Sequence, residues 1–343
     1  MSGRIDGDVH PALPAIAELF DHLPARWSDY CVEHAVTSLE PAFYPPSAFV
    51  DGETGADPQR VAAQVLDRPA AELAVLNCLY GVQPIHNEDW AVAMTAALND
   101  WLAARWLAAD GRFRASIVVP VQNPSRAVEE IERLGGHPGF VGVLLLAFSE
   151  SPLGRRHLWP VYEAAQRHGL PVGVHPGVSG PHPLTPVGWP SFAVEDYAAA
   201  AGAMQSQLVS LVSEGVFRKF PDLRVVLLES GVSWLPSLLW RLDKNWKGLR
   251  REIPWVDRLP SEIVREHVRL TVAPFDGPDD GPAVRRLVEQ IGTADLLLYA
   301  SDHPHRHRRD PERSLLRHLS DAEREQVLHT NAARLYGAPV PTR

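Results

Sequence analysis

Short apolar runs alternate along the chain with longer stretches in which apolar residues recur every three to four positions. The short runs are continuous rather than alternating, which is typical of strands that are buried on both faces. The longer stretches carry helix signals, such as Asn123 followed by Pro124 at one start and the four-residue spacing of a capping box from Ser320 to Glu323. The pattern predicts helices at 88–107, 124–134, 192–217 and from 321 onward. It predicts strands at 5–10, 74–80, 113–120, 141–148, 170–175, 223–229, 268–274 and 294–302.

Strands that alternate with helices form parallel β/α units, and eight such units close a (β/α)8 TIM barrel. An open doubly wound sheet is the alternative, but no Gly-x-Gly-x-x-Gly turn follows an early strand. The chain has 343 residues, which exceeds the roughly 250 that a barrel needs. We assign the excess to long βα-loop insertions at 36–72 and 176–193. No segment has the composition of a linker, so we expect a single barrel domain over 1–343.

Charge and cysteine content narrow the function classes. The 42 acidic residues outnumber the 33 basic ones and give a net charge of −9, which argues against a general nucleic-acid partner. Only Cys31 and Cys78 are present, so neither a disulfide framework nor a cysteine-based zinc site is expected. We find no signal peptide and no apolar window of about 18 residues, and therefore predict a cytoplasmic protein without a membrane partner.

Metal-capable side chains are concentrated where the predicted strands end. Asp8 and His10 stand two apart on the first strand and so point to the same face. His175 ends the fifth strand, Glu229 the sixth and Asp302 the eighth. Alone, Asp8 could cap a loop and His10 could pack beside it, but the recurrence of such residues at the face where barrels carry active sites is hard to explain as packing. Imidazole and carboxylate donors suit a divalent ion, with Zn²⁺ favoured and Mn²⁺ or Fe²⁺ also suitable.

The motifs that carry these residues resemble those of the amidohydrolase superfamily, in particular its amidohydrolase-2 branch, which is related to aminocarboxymuconate-semialdehyde decarboxylase. The residues concerned are DGDVHP at 6–11, GVHPG at 173–177 and ASDHPH at 300–305. The resemblance extends from about residue 4 to residue 337. It implies that Asp8, His10, His175 and Asp302 hold the metal. Many members place a histidine at the end of strand six, where this chain has Glu229.

Other polar and aromatic residues near the strand ends are candidates for substrate contacts. His303 follows Asp302, and His86 follows the second strand. His182 and Trp189 lie in the proline-rich segment after His175. The basic run at 306–309 could pair with a substrate carboxylate, but a charge run is usually a solvated face, and we favour that interpretation for its arginines.

These observations favour a mononuclear metal-dependent hydrolase that acts on a C–N or C–O bond of a small organic substrate. A metal-activated water would attack the substrate with Asp302 as the general base, while Glu229 would shuttle a proton or bind substrate. The resemblance equally implies an alternative, the metal-dependent nonoxidative decarboxylation of an unsaturated or aromatic acid. Because Glu229 replaces the histidine that many members have at the end of strand six, we favour hydrolysis slightly over decarboxylation. A noncatalytic barrel that binds a ligand ranks lower, because buried charges without a metal are costly. Tryptophan-rich predicted helices make a homodimer plausible.

Overall fold

Parallel strands form the centre of the molecule in the computed structural model, which describes residues 3–39, 55–68, 70–177, 188–305, 307 and 310–337. One eight-stranded sheet has its strands in sequence order, and each strand is parallel to the next. This arrangement, with helices between the strands, confirms the predicted (β/α)8 barrel. The strands are β1 Arg4–Val9, β2 Ala71–Leu76, β3 Phe113–Val118, β4 Phe140–Leu146, β5 Val172–His175, β6 Val225–Leu227, β7 Val268–Thr271 and β8 Leu297–Leu298.

Hydrogen bonds between β1 and the segment that follows β8 bring the first and last strands together. The Gly7 N–H donates to the Tyr299 carbonyl at 2.9 Å, and the Asp302 N–H donates to the Asp8 carbonyl at 3.1 Å. The His10 N–H donates to the carbonyl of His303 at 2.7 Å. We call this junction the seam of the barrel. It places the polar residues at the end of β1 beside those that follow β8.

Helices surround the strands. They are α1 Ala25–Glu33, α2 Pro58–Val61, α3 Glu88–Trp101, α4 Pro124–Leu134, α5 Trp159–Arg167, α6 Ala193–Ser213, α7 Val216–Lys219, α8 Leu235–Leu249, α9 Pro260–His267, α10 Gly281–Ile291, α11 Pro311–Ser314, α12 Asp321–Glu325 and α13 Asn331–Tyr336. Wider helical turns extend α2 over Ala62–Asp67 and α3 over Leu102–Leu107, and join α12 to α13 over Gln326–Thr330. Short tight turns occupy Ile16–His22, Arg156–Leu158, Ala294–Leu296 and Leu316–His318.

The predicted helix starts are present with their caps. The Asn123 side chain accepts a hydrogen bond from the Arg126 N–H at 3.2 Å at the start of α4. At α12, the Ser320 hydroxyl accepts from the Glu323 N–H at 3.4 Å, while the Glu323 carboxylate accepts from the Ser320 N–H at 2.9 Å. Both sequence signals thus marked real helix boundaries, because a cap satisfies N–H groups that the helix itself leaves free.

Some predicted boundaries were wrong. The segment 36–72, predicted as a loop, contains α2 and the first residues of β2. The Asp57 side chain caps α2 by accepting from the Gln59 N–H at 3.0 Å, a local signal that the prediction overlooked. The predicted helix 192–217 breaks after Ser213, because Gly215 has a left-handed φ of 81° that starts α7 afresh. Parts of both predicted insertions, 40–54 and 178–187, lie outside the described residues.

The last strand is much shorter than predicted. Residues 294–296 form a tight turn because the Thr293 hydroxyl caps it by accepting from the Asp295 N–H at 3.1 Å. β8 itself covers only Leu297–Leu298, after which the chain leaves regular sheet geometry and reaches a left-handed φ of 57° at Asp302. The predicted strand over 294–302 is therefore regular only at its centre.

Two further expectations concern cysteines and membrane insertion. Cys31 and Cys78 are both buried, and neither is in a disulfide within the described residues. Of the helices in the described part of the chain, none combines the length and apolar character needed to cross a membrane.

Candidate metal centre

β1 delivers the first two donors to the barrel mouth, by which we mean the face at the carboxyl ends of the strands. Asp8 and His10 are buried, with relative exposures of 0% and 6%, and the His10 Nε2 lies 3.5 Å from the Asp8 Oδ1. The His10 Nδ1–H donates to the Asn77 carbonyl at 2.9 Å. When the Nδ1–H of a histidine donates to a backbone carbonyl, Nε2 is the nitrogen that can bind a metal ion, and this orientation is common in metal sites.

Asn77, which follows β2, orients the Asp8 carboxylate. Its side-chain N–H donates to the Asp8 Oδ1 at 2.8 Å, and its own oxygen accepts from the Ser116 hydroxyl at 2.6 Å. The Asp8 Oδ2 accepts no hydrogen bond from any residue that the structure describes, although it is buried. Such an atom is rare in folded proteins and calls for an explanation.

His175 ends β5 and is 2% exposed. Its Nδ1 accepts from the Gly177 N–H at 3.0 Å. Its Nε2 lies 2.9 Å from the Glu229 Oε2, but without the angle of a hydrogen bond. A neutral ring that accepts at Nδ1 carries its proton on Nε2, so metal binding through Nε2 requires the tautomer with the proton on Nδ1 and gives up the Gly177 contact.

Asp302 is fully buried and is the most heavily contacted carboxylate of the mouth. Its Oδ1 accepts from the His10 Nε2 at 2.7 Å and from the His305 Nδ1 at 2.9 Å, and its Oδ2 accepts from the His307 Nε2. Burial disfavours the charged form, but these hydrogen bonds outweigh it and hold the pKa of Asp302 well below its ordinary value. The carboxylate is therefore ionised.

The pKa values of Asp8 and His10 are both raised, but for different reasons. Burial raises the pKa of Asp8, and the His10 and His175 rings only partly oppose this. Burial also works against charge on His10, but Asp8 and Asp302 outweigh it and raise the pKa of His10 to about 10. Three acids and several imidazoles thus share this pocket as a coupled electrostatic unit.

Glu229 follows β6 with a left-handed φ of 50°, and its N–H donates to the Thr271 hydroxyl at 2.9 Å. Among the non-glycine residues that the structure describes, positive φ occurs at only four, and Glu229 and Asp302 are two of them. Such conformations cost about 1–3 kcal/mol and tend to occur at functional sites. They turn both carboxylates out of the strand pleat and toward the same place.

The donors fit a divalent metal ion. Atoms of Asp8, His10 and His175 lie within 4.8 Å of one another, and Asp302 contacts His10 directly. The Asp8 Oδ2 and the His175 Nε2 are buried atoms without hydrogen-bond partners in the described chain. A cation would satisfy the Asp8 Oδ2 directly, and the His175 Nε2 once the ring carries its proton on Nδ1. We call Asp8, His10, His175 and Asp302 the primary donor set. Its nitrogen and oxygen donors suit more than one transition metal.

The predicted substrate contacts lie at different distances from this centre. His303 continues from Asp302, and a parallel bridge joins it to Val9. His86 is largely exposed, and its Nδ1 lies 3.4 Å from the Glu150 Oε1. Trp189 is 56% exposed. His182 lies outside the described residues, as do the arginines at 306, 308 and 309.

His305 and His307 are residues of the mouth that the sequence analysis missed. His307 was placed in a basic run that was weighed mainly as a solvated surface, yet its ring contacts the Asp302 carboxylate. His303, His305 and His307 alternate along the chain after the eighth strand. An extended segment puts alternate residues on one face, and this period-two signal could have identified them.

Comparison with known proteins agrees with the fold and the motifs. A family model described as amidohydrolase matches residues 5–338. Gamma-resorcylate decarboxylases from Rhizobium sp. (strain MTP-10005) and Polaromonas sp. (strain JS666) are 25% and 26% identical over 293 residues, which cover 82% of this chain and 87% of each relative. The resemblance noted from the motifs is confirmed.

Solved structures with the same fold include other decarboxylases. The 2,6-dihydroxybenzoate decarboxylase from Rhizobium superposes with a TM-score of 0.71 at 23% identity, covering 98% of this chain and 99% of that one. A dihydroxybenzoic acid decarboxylase from Polaromonas sp. JS666, with bound manganese and 2-nitroresorcinol, gives 0.71 at 23% identity over 98% and 97%. The 5-carboxyvanillate decarboxylase from Sphingomonas paucimobilis gives 0.72 at 21% identity over 98% and 99%. The curated gamma-resorcylate decarboxylases support the decarboxylase alternative better than the hydrolase that ranked first.

Proposed function

The chain belongs to the amidohydrolase family, and we propose that it catalyses the metal-dependent, nonoxidative decarboxylation of an aromatic carboxylic acid. The observation that carries the proposal is the primary donor set, in which two buried atoms lack hydrogen-bond partners in the described chain, in a protein whose curated relatives are decarboxylases. The substrate class follows from those relatives, which are named for resorcylate, a hydroxylated benzoate.

Asp8, His10, His175 and Asp302 would hold the ion. When bound, it would draw the substrate carboxylate into the mouth and polarise its oxygens. Asn77 keeps the Asp8 carboxylate in place through its 2.8 Å hydrogen bond, and the Asn77 carbonyl fixes the tautomer of His10. The chain therefore supplies a donor set that is already oriented, which lowers the cost of binding.

The reaction needs one proton at the ring carbon that carries the carboxylate. That carbon gains a C–H bond, the C–C bond to the carboxylate breaks, and its electron pair restores the ring while CO₂ departs. We assign proton delivery to Asp302, because its Oδ2 accepts a hydrogen bond from the His307 Nε2. A proton held by the imidazole can pass along this contact to the carboxylate and on to the substrate.

Glu229 would assist from the opposite side of the pocket. Its carboxylate reaches the His175 ring at 2.9 Å and is only 10% exposed. In this position it can take up the Nε2 proton while the Nδ1 of the same ring gains one from solvent, so that the imidazole stays neutral and its Nε2 is free to bind the ion. His303, His86, His182 and Trp189 remain proposed substrate contacts, with His303 the nearest of them to Asp302 along the chain.

The identity of the ion, the oligomeric state and the location are further proposals. Two imidazoles among four donors suit Zn²⁺, whereas the manganese in a similar structure makes Mn²⁺ the other ion to test. A homodimer is supported by exposed apolar side chains such as Trp240, at 57%, and Phe192, at 68%. We also propose that the protein is cytoplasmic.

The test is product analysis on protein loaded with Mn²⁺ or Zn²⁺. We expect CO₂ release from 2,6-dihydroxybenzoate, 5-carboxyvanillate or another hydroxylated benzoate, and loss of that release after chelation. A matching panel of aryl amides and esters tests hydrolysis. Hydrolysis of that panel without CO₂ from any aromatic acid would overturn the proposal in favour of the hydrolase.

A further inference from the structure

A glutamine in the segment after β2 has an unused hydrogen-bond acceptor. Gln83 is 6% exposed, and its Nε2 donates to the Leu144 carbonyl of β4 at 2.7 Å. Its Oε1 is buried and has no hydrogen-bond partner among the described residues. The contact with Leu144 fixes which end of the amide is the oxygen, because a flipped amide would set two oxygens against each other. Since buried polar atoms are normally paired, this oxygen calls for a partner that the protein itself does not supply.

The same contact places Gln83 at the barrel mouth. β3 lies between β2 and β4 in the sheet, and its last residue, Val118, is paired with Leu144. A side chain that starts after β2 and ends on Leu144 therefore crosses the end of β3. Asn99 of α3 takes the outer side of this position through its hydrogen bonds with Val118, so Gln83 crosses on the mouth side. Two residues further along, β4 pairs with His175, which brings the acceptor to the edge of the sheet that carries the metal centre.

Hydrogen bonds hold the turn that carries Gln83. The Gln122 Nε2 donates to the carbonyls of Val82, at 3.2 Å, and Ile85, at 2.7 Å, which flank Gln83 on either side. The Ile85 N–H donates to the Val82 carbonyl at 3.4 Å. Pro84 restricts the backbone of the preceding residue to extended conformations. An acceptor that is already fixed loses little freedom when a ligand binds, which favours a binding role.

A second buried glutamine near the end of β4 uses both ends of its amide within the protein. Gln207 of α6 is also 6% exposed. Its Nε2 donates to the Ala147 carbonyl at 2.6 Å, and its Oε1 accepts from the Leu153 N–H at 2.7 Å. Gln207 thus joins two segments of the chain, whereas Gln83 binds one segment and keeps its oxygen available.

We propose that the Gln83 Oε1 accepts a hydrogen bond from a hydroxyl group on the ring of the substrate, and that Gln122 is a positioning residue that holds the Gln83 turn. The inference rests on the proposed function, which brings an aromatic acid into the mouth. An amide oxygen can only accept, so it favours a ring O–H over a methoxy group or a hydrogen atom. It also repels an ionised carboxylate, which has only acceptors. The substrate is therefore oriented with its carboxylate toward the ion and a ring hydroxyl toward Gln83.

The first experiment measures binding, which does not depend on turnover. 2-Nitroresorcinol has two ring hydroxyls and no carboxylate to lose, whereas 2-nitrophenol lacks one of the hydroxyls. Calorimetric titration of the metal-loaded protein gives the Kd of each probe. We expect 2-nitroresorcinol to bind about 10-fold more tightly, the value of one hydrogen bond. Equal affinity, or no binding of either probe, would overturn the assignment of Gln83, whereas a failure of the decarboxylase proposal would appear separately as the absence of CO₂ release.

Variants assign this preference to Gln83. Gln83→Met keeps the length of the side chain without the acceptor and should remove most of the preference while the metal content stays unchanged. Gln122→Leu should reduce the preference in part, because the Gln83 turn loses two hydrogen bonds.

Gln207→Met is the matched control, since it removes another buried glutamine. It should lower the melting temperature but keep the preference, because a ratio of two affinities does not depend on stability or on intrinsic differences between the probes. Circular dichroism checks that each variant is folded, and Gln83→Asn, which draws the amide back by one methylene, replaces Gln83→Met if the latter does not fold. A folded Gln83 variant with the full wild-type preference would refute the proposal.

Discussion

Two groups of buried polar residues in this barrel make opposite use of their hydrogen-bonding atoms. On the outer wall, Asn99 of α3 donates to the Val118 carbonyl at 2.8 Å and to the Glu130 Oε1 at 2.7 Å, and its own oxygen accepts from the Val118 N–H at 3.0 Å. Arg133, whose side chain is exposed, adds two hydrogen bonds to Glu130, at 2.8 and 2.7 Å. We call Asn99, Glu130 and Arg133 the wall network.

The barrel mouth is equally buried but incompletely satisfied. The Asp8 Oδ2 and the His175 Nε2 have no hydrogen-bond partner in the described chain. By contrast, both the oxygen and the nitrogen of the Asn99 amide form hydrogen bonds to other residues of the protein. Leaving a buried polar atom unpaired costs about 1–3 kcal/mol. The hydrogen bonds of the Asn99 side chain are made within the protein, whereas the mouth keeps two polar atoms available to a ligand.

The largest expected effect comes from removing a donor of the mouth. His10→Ala and His175→Ala should each lower metal occupancy sharply and reduce CO₂ release by more than about 100-fold, because loss of even an outer-shell partner costs 10–100-fold. Metal analysis and turnover are measured on the same sample. The exposed His137→Ala should leave both unchanged, and full occupancy in the His10 or His175 variant would remove that residue from the metal site.

Asp302→Asn should have the next largest effect. The change keeps the shape of the side chain but removes its charge, and loss of acid–base catalysis is worth roughly 10²–10⁴-fold in rate. We expect a fall of at least that order, with more metal retained than in His175→Ala. Near-normal turnover with full metal would show that Asp302 moves no proton in the reaction.

Asn99→Leu tests the wall network. The change removes the Asn99 partner of both Val118 backbone groups and one of the two donors to the Glu130 Oε1, so we expect a loss of about 2–3 kcal/mol in the free energy of unfolding. Chemical denaturation measures this loss. Turnover per folded molecule should stay normal, because the wall network has no free donor for substrate or metal. A stable variant with lost activity would reverse our assignment of the two regions.

The smallest effect concerns pH and a histidine on the wall. His267, at the end of α9, is 2% exposed, donates from Nδ1 to the Leu223 carbonyl at 2.9 Å and stacks on Phe217. Burial lowers the pKa of His267. The unfolded chain therefore binds a proton at His267 more tightly than the folded chain does. The contribution of neutral His267 to the free energy of unfolding is complete above the ordinary histidine pKa of about 6.5, and it is lost as pH falls below that value.

His267→Gln should therefore weaken the fall in melting temperature between pH 7.5 and pH 5. The variant is compared with wild type at both values, and the difference between the two slopes is the result. The metal content at each pH serves as the control, since it should be the same in the two proteins. An unchanged slope would show that His267 is not the group responsible.

Much of the barrel could be predicted because its signals are local. Continuous apolar runs such as 141–148 predict buried strands whatever lies around them, and Asn123 caps α4 through a neighbour three residues away. The residues at which strands and helices end were harder to predict. The short β8 and the inward turns at Glu229 and Asp302 depend on left-handed backbone angles, which no apolar pattern records.

The sequence by itself determined the kind of barrel and the identity of the primary donors, because strand period and polar strand ends are written along the chain. Only the tertiary structure decided how those donors are used. Asp302 and Asp8 are almost 300 residues apart in the chain, and hydrogen bonds between the first strand and the segment after the last strand make them neighbours. His307, which the sequence placed in a basic run, contacts the Asp302 carboxylate. Contacts between distant segments depend on strand closure and on side-chain direction, and these follow from packing in three dimensions rather than from the order of residues.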